Sequence, residues 1–220
     1  MKKSIIPMLV IVACFVMGIV DAVIQPGYII KSIIKIIMFL LIPILYSFCV
    51  KDYSIKNLVK AERKGIVFAL VLGCIVYAII LVAYFIFKNV FDFSALTSSL
   101  NETTGVNESN FIWVSLYISF INSLLEEFFF RGFAFITLKK IISKKFAYIF
   151  SSTLFALYHI AMMIGWFGIY VILISLIGLF VGGMIFNKFD DKRDNIYLSW
   201  IVHMFANFAI NTIGFILFAA

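Results

Sequence analysis

The chain has 220 residues, of which 64% are apolar and only 13% charged, and its mean hydropathy is +1.12. Soluble domains are far less apolar, and only helices or closed barrels satisfy their backbone polar groups within lipid. The apolar runs are continuous, whereas barrel strands alternate apolar and polar residues, so a barrel is excluded. The composition predicts an all-α fold: a polytopic membrane helix bundle of about seven transmembrane helices, in contact with the lipid bilayer.

Seven apolar segments are long enough to span a membrane, which takes about 20 residues. They are Ile5–Ile24, Tyr28–Val50, Gly65–Phe87, Phe111–Leu138, Phe146–Ile164, Gly168–Phe186 and Ile196–Ala220. The lysines at positions 2 and 3 could also begin a signal peptide, but the apolar run continues past Cys14, which favours an uncleaved first span. We divide the chain into two parts. Residues 1–110 contain three spans and an acidic loop, residues 88–110, and residues 111–220 contain four spans and the candidate catalytic core.

The net charge of +7 comes from loop lysines and arginines, so it indicates membrane orientation and predicts no nucleic-acid partner. The loop cations collect at the N-terminus and in residues 51–64, 139–145 and 188–193. With seven spans, these four regions lie on one side, and an excess of lysine and arginine marks the cytoplasmic side. We therefore expect a multi-pass protein of the cell membrane with a cytoplasmic N-terminus and an external C-terminus.

Three ionisable residues interrupt the fourth span: Glu126, Glu127 and Arg131. Burying each charge in lipid costs about 3 kcal/mol, so such groups usually mark a functional site. Glu127 and Arg131 are spaced i,i+4 and are predicted to form a structural ion pair. Glu126 points about 100° away and faces no cation on its own helix. It is predicted to lack an ion partner and to serve as a general base or acid.

The only two histidines lie in later spans, His159 in the fifth and His203 in the seventh, where Asn207 follows at i+4. Converging with Glu126, they would supply a carboxylate and a histidine to activate water, and a histidine and an amide to stabilise an oxyanion. Glu126, His159 and His203 are also an acceptable zinc set. Singly, each residue could be an ordinary packing group.

Three motifs carry a resemblance over residues 111–220. Residues 126–131 read EEFFFR and match EExxxR, Phe155 to His159 matches FxxxH, and His203 to Asn207 matches HxxxN/D. In this order they resemble the CAAX proteases and bacteriocin-processing enzymes, the CPBP or Abi family. The resemblance implies an intramembrane peptidase in which Glu126 and His159 activate water and His203 and Asn207 stabilise the oxyanion. It leaves open whether the enzyme is glutamate-dependent or a metalloprotease, so no firm cofactor is predicted, with zinc the alternative.

We therefore expect a bacterial intramembrane endopeptidase that cuts near the cytoplasmic side. Its substrate would be a membrane-embedded or membrane-associated peptide, or a prenylated CAAX-type protein. One alternative is a non-enzymatic bacteriocin immunity or membrane scaffold protein. Another is a small transporter or proton relay, which is less favoured because many transporters are built from repeats and the chain shows none.

Overall fold

The computed structural model describes residues 2–49, 58, 63–90, 93–164 and 167–219, and the predicted loop cations Lys51, Lys56 and Lys60 lie outside them. The described residues form helices and no strand. Seven helices are long and apolar enough to cross a membrane, which confirms the predicted fold class. We label them, with one short helix that does not span, α1 Ile5–Ile24, α2 Tyr28–Cys49, α3 Gly65–Phe87, α4 Ser94–Thr104, α5 Phe111–Ile141, α6 Lys144–Met163, α7 Ile169–Asp191 and α8 Tyr197–Phe218.

Helix α4, within the acidic loop, is absent from the sequence-based prediction because it is too polar and too short for a span. It ends at Gly105, which adopts a left-handed conformation with φ of 70°. The amide of Gly105 donates to Asn101 O, and the amide of Val106 donates to Leu100 O. Glycine is the residue most often found at such a helix end, because it has no Cβ to clash in the left-handed conformation.

Helix α5 is the centre of the bundle, and every residue from 125 to 138 is buried. Its phenylalanines pack against other helices; Phe129, for example, stacks on Phe39 of α2 with ring centroids 4.2 Å apart. These buried phenylalanines therefore face other helices and not lipid. Stacked aromatic side chains bury a large area, and this packing holds a charged helix segment inside the protein.

Parts of α1, α2 and α5 are wound as π-helix, with i→i+5 hydrogen bonds. In α5 these parts are Ile118–Asn122 and Glu127–Thr137, on either side of a short α-helical turn, Ser123–Glu126. In α2 the π segment Ile37–Leu41 comes just before Pro43, which has no amide and clashes with the carbonyl four residues earlier. Such widened turns are frequent at functional sites.

The basic loops meet at one end of the bundle, which we call the basic face. Lys139 contacts Asp194 at 2.6 Å and Asp191 at 3.0 Å, joining the α5–α6 connection to the α7–α8 connection. Partial burial raises the pKa of Asp194, but Lys139 and Lys140 outweigh it and hold that pKa below its ordinary value. Leu58 lies in the α2–α3 connection, and its carbonyl accepts from the amide of Ile196. At the opposite end, the α1–α2 turn lies beside the end of α4 and the end of α6. The arrangement agrees with seven spans.

Candidate active site

Glu126 is 1% exposed and lies on the short α-helical turn between the two π segments of α5. Its Oε1 accepts from Lys35 Nζ at 2.6 Å and from Asn122 Nδ2 at 3.0 Å. The prediction that Glu126 has no ion partner is therefore wrong. The reason is that its partner is on α2, ninety-one residues away, where an argument from spacing along one helix does not reach.

The histidines approach the other oxygen of the same carboxylate. His159 Nε2 lies 3.6 Å and His203 Nε2 lies 3.7 Å from Glu126 Oε2. Both distances exceed a direct hydrogen bond. The structure thus brings together Glu126, His159 and His203, from α5, α6 and α8, around one oxygen atom.

The outward nitrogen of each histidine is held by an acceptor. His159 Nδ1 lies 2.7 Å from the carbonyl oxygen of Phe155, and His203 Nδ1 lies 2.7 Å from Glu127 Oε1. Carbonyl and carboxylate oxygens only accept, so each Nδ1 carries a proton and donates. In the neutral form of either ring, the lone pair of Nε2 then faces Glu126.

Glu127 and Arg131 are both 0% exposed, and Arg131 Nε lies 3.2 Å from Glu127 Oε2. The Arg131 guanidinium also lies over the Phe155 ring, 4.0 Å from its centroid, and 5.1 Å from that of Phe186. Glu127 thus bridges an arginine and His203, the latter through its Oε1. The predicted structural ion pair with Arg131 is therefore only one of the two contacts of Glu127, and the other is with His203.

Asn207 is 8% exposed and donates from Nδ2 to the carbonyl oxygen of Ile118 at 3.1 Å, in the first π segment of α5. One of its two amide hydrogens is used there. The structure gives it no hydrogen bond to Glu126, His159 or His203, so it lies beside that group without joining it.

Sequence reasoning missed two polar groups near the site. Lys35 is 3% exposed and points inward to Glu126, at 2.6 Å, and to Asn122 Oδ1, at 2.5 Å. Asp190 is 0% exposed and accepts from Ser199 Oγ at 2.6 Å. A signal for Lys35 was available, because an acid and a lysine left unpaired in apolar helices are natural partners.

A cavity of about 540 Å³ lies between α3, α5 and α8. Its lining is mostly aromatic and aliphatic, with polar groups from Tyr77, Ser115, Asn211 and Thr212. Asn211 follows Asn207 by one helical turn, about 6 Å along α8. The cavity is therefore close to the catalytic candidates and open to apolar ligands.

Glu126, His159 and His203 have the donor types that suit zinc. In the part of the chain that the structure describes, no group of three His, Cys, Asp or Glu side chains is arranged to hold a metal ion. A lysine ammonium contacts one oxygen of the Glu126 carboxylate, and the other oxygen faces both histidines. Zinc stays the alternative that the sequence predicts.

Comparison with known proteins assigns this region. Residues 108–209 match the family model of type II CAAX prenyl endopeptidase Rce1-like proteins. No curated protein and no solved structure matches the chain. The matched range contains all four catalytic candidates and both members of the Glu127–Arg131 pair, on the helices that meet around Glu126. The chain thus contains an Rce1-like domain of the CAAX protease family at residues 108–209, in a bundle whose described helices include seven long and apolar enough to cross a membrane.

Proposed function

We propose that the protein is a glutamate-dependent intramembrane endopeptidase in which Glu126 and His159 activate the attacking water. The observation that carries the proposal is the approach of two imidazole Nε2 atoms to one oxygen of a buried carboxylate. Glu126 Oε2 and His159 Nε2 can accept the two hydrogens of one water and deprotonate it, and a bridging water suits gaps longer than a direct hydrogen bond.

In the first step, the water oxygen bonds to the carbonyl carbon of the scissile peptide. One water proton passes to Glu126 Oε2, with His159 Nε2 accepting a hydrogen bond from the same water, and the carbonyl oxygen becomes an oxyanion. In the second step, the tetrahedral intermediate collapses and the C–N bond breaks. The leaving nitrogen takes the proton from Glu126 and departs as an amine. The new carboxyl group passes the second water proton to His159 Nε2, which releases it to solvent, so the acid product leaves as a carboxylate.

His203 and Asn207 are assigned to the oxyanion. A neutral His203 has no hydrogen on Nε2, since its proton is on Nδ1, so it can donate only as an imidazolium. Glu127 Oε1 accepts from Nδ1 at 2.7 Å and holds the ring in that orientation. Asn207 keeps a second amide hydrogen after its bond to Ile118. Two such donors would serve the developing charge in acyl transfer.

The substrate is proposed to be a membrane-embedded or membrane-associated peptide with an apolar portion. The 540 Å³ cavity beside Asn207 would take an apolar side chain or a prenyl group, and its few polar groups would orient the attached backbone. The family description, a CAAX prenyl endopeptidase, supports a prenylated CAAX-type substrate. A bacterial setting and bacteriocin processing or immunity stay predictions.

The helix lengths place the site near the middle of the membrane. His159 lies about 20 Å along α6 from its basic-face end, at 1.5 Å per residue, whereas His203 lies only about 9 Å along α8 from its own basic-face end. Glu126 is at the middle of α5, 15 residues from each end. The lengths favour neither side, so cleavage near the cytoplasmic side stays a prediction.

The test is cleavage by protein purified in nanodiscs of two fluorogenic peptides with the same CAAX sequence, one farnesylated and one not. We expect the farnesylated peptide to be cut with a lower KM, and cleavage to persist with a strong chelator. Loss of cleavage in the chelator, restored by added zinc, would contradict the metal-free mechanism. Cleavage of neither peptide would contradict the proposed function with this substrate class.

A further inference from the structure

Helix α2 carries two lysines one turn apart, and they are paired differently. Lys31 contacts Asp21 of α1 at 2.6 Å, close to the α1–α2 turn. Lys35, one turn deeper, contacts Glu126 at 2.6 Å. Lys31 therefore ties α2 to α1, whereas Lys35 ties α2 to the catalytic candidates.

Lys35 is enclosed on all sides that the structure describes. Its side chain is 4% exposed, and its ammonium lies 5.0 Å from the Tyr158 ring centroid and 5.6 Å from that of Phe39. A buried ammonium costs free energy unless it is paired and hydrogen-bonded. Its anion is Glu126, its neutral acceptor is Asn122 Oδ1 and its aromatic neighbours supply the remaining contacts.

The contact divides the two oxygens of the Glu126 carboxylate. Oε1 is occupied by Lys35 Nζ and Asn122 Nδ2. Oε2 faces the Nε2 atoms of both histidines. Without the contacts on Oε1, the carboxylate plane could rotate about its last side-chain torsion, and neither oxygen would be held facing the histidines.

We propose that Lys35 is a positioning residue: it holds Glu126 Oε1 so that Oε2 is the oxygen presented to the water, His159 and His203. The proposal rests on the proposed peptidase function. Lys35 lies outside residues 108–209, so the family match gives it no role. The proposed role of Lys35 would give the N-terminal region a part in catalysis, since α2 then completes a site otherwise built from α5, α6 and α8.

A structural role alone would affect folding and not the chemical step, so kcat and KM must be measured separately from stability. The variants are Lys35→Met, which removes the charge at similar length, Lys35→Gln, which keeps a donor, and Lys35→Arg, which keeps the charge. Lys31→Met is the matched control, since it removes the same charge from the same helix one turn away and touches no catalytic candidate.

We expect folded Lys35→Met and Lys35→Gln to lose roughly 100-fold in kcat, the effect of misplacing a reacting group by about 1 Å, with KM unchanged. Lys35→Arg should recover part of the loss, and Lys31→Met should keep the wild-type kcat. A wild-type kcat in folded Lys35→Met or Lys35→Gln would overturn the proposal. If neither folds, Lys35→Arg decides, because a wild-type kcat there would show that the exact position of the charge does not matter.

The Glu126→Gln variant separates this proposal from the proposed function. If Glu126→Gln is inactive while folded Lys35→Met is fully active, the peptidase mechanism stands and the role of Lys35 fails. If Glu126→Gln cleaves as fast as the wild type, the mechanism fails, and the role of Lys35 fails with it.

Discussion

Glu126 shows what spacing along a single helix can and cannot predict. The i,i+4 rule predicts that Glu127 faces Arg131 and that Glu126 does not. In the structure, Arg131 Nε lies 3.2 Å from Glu127 Oε2. The same rule says nothing about other helices, so it misses Lys35. The contact of Glu127 with His203 was missed for the same reason.

Glu127 is the residue for which the structure changes the expected phenotype most. Glu127→Gln would remove the i,i+4 ion partner of Arg131 and the carboxylate that holds His203 Nδ1. We expect about 3–5 kcal/mol of lost stability, the usual cost of breaking a buried pair. We also expect at least about tenfold lower kcat in the fraction that folds. Unfolding in detergent and steady-state kinetics measure the two effects.

Glu108→Gln, at an exposed position of the acidic loop, is the matched control and should change neither quantity. Reduced stability with a wild-type kcat would limit Glu127 to a structural role, and the assignment of His203 as a charged donor would then fail.

At the scale of elements, the apolar runs predict the seven spans well because lipid imposes both length and composition on a spanning helix. The π segments of α5 were not predictable in this way. They depend on packing against several helices, and no residue type or spacing in residues 118–137 marks them. The π segments bear directly on the site, because Glu126 is the last residue of the α-helical turn between them.

The close packing of α6 against α7 can be tested at Gly183, and the neighbouring Gly182 provides the control. A Cβ on Gly183 would lie 3.1 Å from the Cα of Ser152 in α6, whereas one on Gly182 would meet nothing within 4 Å. We expect Gly183→Val to lower stability by about 1–3 kcal/mol through overpacking. Gly182→Val, with the same change of helix propensity, should be close to neutral. Thermal unfolding of both purified variants measures the difference.

Equal melting temperatures for the two glycine variants would contradict the α6–α7 packing. That packing also positions the site, because α6 carries His159 and Phe186 of α7 contacts Arg131.

At the scale of the whole molecule, hydropathy and loop charge together predict the number of spans and which loops share a side. The ion pairs from Lys139 to Asp191 and Asp194 agree with the second of these predictions. The depth of the site was harder to predict. Counting from the basic ends gives about 20 Å for His159 on α6 but about 9 Å for His203 on α8, and only the structure shows that the two side chains meet at one carboxylate oxygen.

The division of the chain at residue 110 stays a prediction, and a contact of α2 joins the two parts at the site. Residues 111–220 hold the three motifs, yet one oxygen of Glu126 is held by a side chain from α2. The two parts therefore meet at the Glu126 carboxylate, the proposed base, and α2 lies against the candidate site.

The central claim is that Glu126 Oε2 is the base, and the most direct measurement is kcat for the farnesylated peptide with wild type, Glu126→Gln and the exposed control Glu102→Gln, each shown to be folded. General base catalysis contributes roughly 10²–10⁴-fold. The account predicts a loss of at least that order for Glu126→Gln and none for Glu102→Gln. A folded Glu126→Gln protein that retains wild-type kcat would contradict it.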